Sequence, residues 1–511
     1  MRPRPVIALL SLLVCHIAPA QVLDVDGDGI VGPQEALALA QDWRKGASGG
    51  SSNLVLDLTV APGETVSQGD VVSLTTGGLV KGGIVVRALG VVSETPLPES
   101  NLLVAAPVIR LSENRFVLCY DISGPAGEKI VVGTLVGDSI EFGAPIDLSA
   151  NNLNNRALTT LSESKFAVAY RDSGDGNKGK VRMGTISGDT ITLRGEEVFN
   201  DGNTTPISIT GISENRFVVA YRDIPNSSAG TARVGFDHPI QGLLLSPETA
   251  FETGGIGGNT AIGALSGTKV LILYSEGSAG RAVAGTVVIP TPLSTGALTY
   301  GATETVAQEP SIDFSVIPLS SSTAAVGFVG SMSISKLQLV TVTGTDLTPG
   351  VRTDLFPSST SALSLGLMAP DKVVAGLDTG APGVTGAAVA SIENTTIRVG
   401  PSLSNPATRL HSLVPLGEDR VVFFDGQDGR AVLARATPIS ITMGIAQEAG
   451  TAGQSIPVLV SGVSEVHAGL TPGSFYFGQP DGSLDTSFTD APIGMALSPS
   501  TLLVGTGPAG P

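Results

Sequence analysis

The chain has 511 residues, with 29 Lys or Arg against 46 Asp or Glu and a net charge of −17. That balance excludes a nucleic-acid binder, which needs a basic footprint, and disfavours anionic membrane surfaces. The 65 glycines and the 15% share of charged residues, together with many Val, Ile and Thr, favour short strands and tight turns, an all-β class. Residues 1–20 read as a secretory signal peptide: Arg2 and Arg4 form a positive start, Val6 to Ile17 an apolar stretch, and Ala18-Pro19-Ala20 a cleavage site. No later apolar run is long enough for a membrane span, so the mature chain is expected to be secreted and soluble. Cys119 is then the only mature cysteine; its setting, Arg115-Phe-Val-Leu-Cys119-Tyr120, predicts a packed thiol in a buried strand.

Residues 21–46 carry the one spacing that dictates a chemistry. Ca²⁺ takes six to eight oxygens, which a twelve-residue loop supplies from positions 1, 3, 5, 7, 9 and 12 with Gly at 6. Asp24, Asp26 and Asp28 fill positions 1, 3 and 5, and Gly29 fills 6. Ile30 offers its carbonyl at 7, Gly32 leaves 9 to a water, and Glu35 at 12 can chelate through both oxygens. A short exit helix is expected from Pro33 to Trp43, stopped at Gly46. The segment resembles the EF-hand family, and more narrowly the loop-and-exit-helix half of dockerin type I modules. Dockerins carry two such loops, usually ending in Asp; here there is one, ending in Glu35. The resemblance implies Ca²⁺ as cofactor, held by Asp24, Asp26, Asp28, Ile30 and Glu35. An unpaired loop should bind at about 10⁻⁴–10⁻³ M, the range of extracellular modules.

Residues 47–53 are a Gly/Ser linker. Residues 54–100 and 441–511 both read as short strands joined by Gly/Pro turns, such as Val60-Ala-Pro-Gly63 and Gly469-Leu-Thr-Pro-Gly473. They resemble small β-modules of phage decoration and tail proteins, and are expected to pair as two halves of one module.

Between them, residues 101–440 repeat. The clearest copies are Leu111-Ser-Glu-Asn-Arg-Phe-Val-Leu-Cys-Tyr120, Leu161-Ser-Glu-Ser-Lys-Phe-Ala-Val-Ala-Tyr170 and Ile212-Ser-Glu-Asn-Arg-Phe-Val-Val-Ala-Tyr221. Weaker copies start at Leu265, Leu319, Met368 and Leu416, so that successive anchors stand 50, 51, 53, 54, 49 and 48 residues apart. Each unit reads as four strands. The second, as in Phe217 to Tyr221, is apolar throughout, the mark of burial on both faces. The third and fourth are joined by tight turns at Gly188-Asp189 and Gly137-Asp138. Four strands per repeat of about 50 residues is propeller spacing, and the copies predict a seven-bladed β-propeller. The repeat resembles those of phage tail-associated and secreted marine bacterial propellers, which implies surface attachment or recognition.

No catalytic constellation is found. His238, His411 and His467 are scattered through different segments, and no nucleophile elbow or phosphate-binding loop is present. Asp121, Asp172 and Asp223, each following a second strand, are the best alternative site: an acidic rim for cations or sugar hydroxyls, with Arg171 and Arg222 beside two of them to neutralise it. The competing expectation is that each Asp caps its own turn. The whole predicts a calcium-binding, non-enzymatic recognition or adhesion protein for an extracellular carbohydrate or protein ligand. A polysaccharide-active propeller enzyme and a dockerin-like assembly component are the alternatives.

Overall fold

The computed structural model describes residues 54–504 apart from short stretches within them; residues 1–53 and 505–511, and with them the signal peptide, the calcium loop, its exit helix and the linker, lie outside the described residues. Among the described residues there is no α-helix, and none long and apolar enough to cross a membrane. The described residues divide into two compact units, one of residues 87–437 and a second formed by those up to 86 with those from 438 onward.

The larger unit is a succession of seven antiparallel sheets. Blade 2 shows the plan: Leu153–Ser162, Lys165–Asp172, Lys178–Ser187 and Thr190–Asn200 pair in sequence order. Blade 3 repeats it with Thr204–Ser213, Arg216–Asp223 and Ala229–His238, and blade 4 with Gly257–Ser266, Lys269–Glu276, Ala279–Val288 and Ala297–Ala307. The first strands of successive blades touch in a cycle, from Val108–Arg110 through Leu153–Ser162, Thr204–Ser213, Gly257–Ser266, Ile312–Pro318, Ala362–Ala369 and Leu410–Pro415, and back to Val108–Arg110. That cycle closes the ring and makes this unit the seven-bladed propeller expected.

The core is a set of wedges between blades. Phe217, Val219 and Tyr221 pack with Ala167, Ala169 and Val181 of blade 2, whereas Val218 and Ala220 pack with Ile272 and Tyr274 of blade 4. Alternate residues of one strand serve two interfaces, which is why its sequence does not alternate. The third strand keeps a glycine where the Phe ring lies: a Cβ at Gly133, Gly184 or Gly235 would overlap Phe116, Phe166 or Phe217 respectively. Hydroxyls tie the inner strands together, as where Gly211 N–H donates to Thr159 Oγ1 at 2.6 Å and Ala264 N–H to Thr210 Oγ1 at 3.1 Å.

Closure departs from the expected boundaries. Val85–Pro96 falls within the expected flanking segment 54–100, but it forms the outer strand of blade 7, beside Arg430–Ser440. The physical reason is supply. Blade 7 draws Leu410–Pro415, Arg420–Asp425 and Arg430–Ser440 from its own repeat, and its open edge takes its fourth strand from upstream of blade 1. The seam is sealed by Phe116, Leu118 and Tyr120 of blade 1 against Val414, Val422 and Phe424 of blade 7, with Leu97 from the end of the closing strand.

In the smaller unit both flanks contribute to one sheet. Val71–Thr75 pairs with Gly78–Lys81 and with Gly444–Ala446, which pairs in turn with Ser455–Ser464. Leu54–Thr59 runs antiparallel to Ser455–Ser464 as well.

Candidate functional site

None of Asp24, Asp26, Asp28, Ile30 and Glu35 falls within the described residues, so the site that can be built from coordinates is the propeller rim where the second strands end. Register corrects the reading of its acids. Phe116, Phe166 and Phe217 are equivalent, each facing a third-strand glycine. Counting from them, Asp172 and Asp223 share a position that Ile122 fills in blade 1, and Asp121 is equivalent to Arg171 and Arg222. One residue along a strand means the opposite face, so the three aspartates do not form one set.

Each acid is also engaged. Asp172 accepts from Asn151 Nδ2 at 2.9 Å, from Lys180 Nζ at 2.9 Å and from the Gly174 N–H at 2.9 Å. The last bond is the turn cap expected. Burial pushes the Asp172 carboxyl up, but the hydrogen bonds from Lys180 and Asn151 and the Lys180 charge outweigh it and hold it below its ordinary value. Lys180 also reaches Asp175 and Glu196, both at 2.9 Å. Burial opposes its charge, yet bonds to Asp172, Glu196 and Asp175 raise it above the usual lysine value. Glu196 further accepts from the Tyr170 hydroxyl at 2.7 Å. Asp223 accepts from Asn200 Nδ2 at 3.1 Å, an amide-to-acid clasp between consecutive blades like that of Asn151 and Asp172. Asp121 and Glu128 pair with Arg156 of the next blade.

Arg171 and Arg222 were expected to neutralise Asp172 and Asp223. Adjacent residues of a strand point to opposite faces, and neither arginine forms an ion pair or hydrogen bond, while their Nε atoms are buried without a partner.

The other rim carries the Ser-Glu-Asn-Arg turns, and there the basic residues are spent on neighbouring blades. Arg115 donates to the Gly188 carbonyl and stands 3.6 Å from Asp189. Lys165 is 4.0 Å from Asp237. Arg216 donates to the Pro292 carbonyl and, at 3.0 Å, to that of Ser294, while lying 4.0 Å over the Phe236 ring. At the seam Arg435 of blade 7 is 2.9 Å from Asp138 of blade 1, and Ser93 Oγ on the closing strand donates to the Asp138 carbonyl at 2.5 Å. The repeated Gly-Asp turns of blades 1 and 2 are thus the catches of latches between blades.

Two further candidates are structural. His238 Nδ1 accepts from the Ile240 and Gln241 N–H groups at 3.2 and 3.1 Å, fixing its own turn. Cys119 is fully buried, as its setting predicts. Burial, opposed in part by the Arg156 charge, pushes its thiol up to about 11, so it stays protonated.

No known protein family matches the chain, and neither does any curated protein. Among solved structures, the WD40 β-propeller domain of Doa1 is similar at 11% identity with a TM-score of 0.44, over 68% of this chain and 97% of that one. A chain in a structure of the mitotic checkpoint complex is similar at 12% identity with a TM-score of 0.46, over 68% and 91%. The ring closure described above stands on this chain's own strand pairings.

Proposed function

We propose that the protein is an exported recognition platform: a closed propeller that presents one rim to an extracellular ligand, with an N-terminal loop that binds Ca²⁺ through Asp24, Asp26, Asp28, Ile30 and Glu35. The observation that carries the platform reading is the unequal use of the two rims. Both rims carry clasps between blades, Arg156 with Asp121 and Glu128 among them; but at one rim Arg115, Arg216 and Arg435 are all latched, whereas at the other Arg171 and Arg222 stand uncommitted. The buried thiol and the turn-fixing His238 support a binding role, because these reactive side chains are used to hold the fold. The Ca²⁺ reading rests on the spacing of oxygen donors around Gly29.

Three experiments test it. N-terminal sequencing of the exported protein should start at Gln21; a start at Met1 would remove the export reading. Calorimetry on the mature chain should show Ca²⁺ heat at millimolar metal that disappears in Asp24→Ala. No heat, or heat unchanged by that substitution, would dismiss the loop. For the platform itself, an array of glycans and extracellular proteins should yield a ligand whose capture is competed by the isolated ligand; capture of nothing would refute it.

A further inference from the structure

Of the described arginines, Arg171 and Arg222 are the two with no hydrogen bond and no ion pair to any group of the protein. Every other one is committed, for example Arg182 to the Leu148 carbonyl at 2.6 Å, Arg233 to the Phe199 carbonyl at 2.9 Å and Arg281 to Glu276 at 2.9 Å. The two exceptions occupy the same position in adjacent blades, and their surroundings repeat as well. Across the strand from Arg171 stands Gly179, whose missing side chain is replaced by the Phe199 ring; across from Arg222 stands Gly230, covered by the Phe251 ring. In blade 1 the same position holds Asp121 opposite Glu128, and in blade 4 it holds Ser275 opposite Gly280. The pair is therefore a local construction of blades 2 and 3.

The two guanidinium groups are placed to receive something. Both residues are half-buried, and of their guanidinium nitrogens only Nε is sealed from solvent without a partner. A buried Nε does not by itself set them apart, since Arg216 and Arg435 keep one too. What distinguishes Arg171 and Arg222 is that their terminal nitrogens, which reach solvent, also have no partner in the protein, and a charged donor group left free at equivalent positions suits an external acceptor. The nearby acids do not supply one. Asp223 takes its hydrogen bond from Asn200, Glu276 pairs with Arg281, and Glu252 accepts from the Gly254 N–H and the Tyr274 hydroxyl. A planar guanidinium with free terminal nitrogens matches a carboxylate or sulfate by paired N–H···O bonds.

We propose that Arg171 and Arg222 are the two anchoring points of a binding surface for an acidic polysaccharide, each guanidinium taking one carboxylate or sulfate of the sugar chain. The inference rests on the platform reading and names its ligand class. Placement on adjacent blades suits a ligand with repeating charges. The surroundings favour sugar over protein: exposed Asn154 and Asn155 lie at the start of the inner strand, Asn154 directly opposite Arg171. The exposed apolar tips Ile240 and Leu293, by contrast, lie at the third-to-fourth strand hairpins of the opposite rim. The net charge of −17 repels polyanions at long range, so capture depends on these short contacts and not on diffuse attraction.

The test uses the mature full chain and the variants Arg171→Met, Arg222→Met, the double variant and Arg171→Lys, against oligogalacturonate, a sulfated galactan oligomer, a neutral xylo-oligosaccharide and polyglutamate. Binding is measured by interferometry, and thermal unfolding of each free variant is recorded alongside. We expect the wild type to bind the uronate or the sulfated oligomer, which separates the two oxyanion sources, and to bind the neutral oligomer at least tenfold more weakly. Each Met variant should lose about tenfold to a hundredfold in affinity, the worth of a charged hydrogen-bonded pair, and Arg171→Lys should recover part of it. Unfolding midpoints should stay within about 2 °C, which separates lost binding from lost fold. Unchanged affinity in the double variant would overturn the proposal, as would polyglutamate binding as well as the acidic sugars. If the wild type captures a neutral glycan or an extracellular protein and the double variant captures it equally, this proposal falls while the platform reading stands. If the wild type captures nothing, both fall.

Discussion

The two rims of the ring come from the same repeat and have opposite fates. At the hairpin rim, Arg115, Lys165, Arg216 and Arg435 each reach a neighbouring blade. At the other rim, Arg156 joins acids and amides in the clasps between blades, yet Arg171 and Arg222 reach nothing. A basic residue at a strand end is thus no guide to its role. What decides is whether the adjoining blade offers an acceptor on the face to which the strand's alternation turns the side chain.

Substitutions can break or sharpen this contrast. The largest effect should come from Lys180→Met. It removes the cation that joins Asp172, Asp175 and Glu196 and leaves Asp172, whose side chain is 1% exposed, as an unpaired buried charge. A loss of about 3–5 kcal/mol is expected, read by denaturant unfolding of the full chain. Next is acid. Because the native Asp172 carboxyl is held below its ordinary value, its contribution is complete above the unfolded-state value, about 3.9. It is lost as pH falls through the lower native one. Unfolding midpoints should therefore drop below about pH 4, and less steeply in Asp172→Asn than in the wild type. Arg115→Ala should cost under about 1 kcal/mol, since its latch is partly exposed and joins Asp189 at the surface. The smallest effect, within about 0.5 kcal/mol, is expected for Arg171→Met, which breaks no bond and keeps most of the apolar stem. If Arg171→Met were as costly as Lys180→Met, the distinction between the rims would collapse.

How much of this was legible in the sequence depends on how local the information was. The blades were, because Phe-Val-Val-Ala-Tyr and its copies carry their double burial on the surface of the text, and the glycine of Gly133-Thr134 and Gly184-Thr185 is the imprint of the Phe ring above it. The closing strand was not. Val85–Pro96 repeats none of the anchor pattern, and its partner Arg430–Ser440 stands at the other end of the ring. The rim was half legible. Tyr170-Arg171-Asp172 and Tyr221-Arg222-Asp223 are visible as repeats, but in Tyr120-Asp121 the acid follows the Tyr directly and so only looks equivalent to Asp172 and Asp223. A count from Phe116, applied with the two-residue period of a strand, would have separated it from Asp172 and Asp223. The same count would have turned Arg171 away from Asp172.

The closing strand also sets an order on the life of the polypeptide. Residues 85–96 leave the ribosome before every blade, and the edge they complete is finished only after nearly the entire ring has been synthesised. Until then a ribbon that includes Val91 and Val92 waits without a mate, and its pairing spans more of the sequence than any other within the ring. Distant pairings are slow, and strands left waiting invite their own kind. The nascent chain therefore spends most of its synthesis as an open arc whose two ends are each competent to join a second copy, and a chain truncated anywhere before Arg430 keeps that competence permanently.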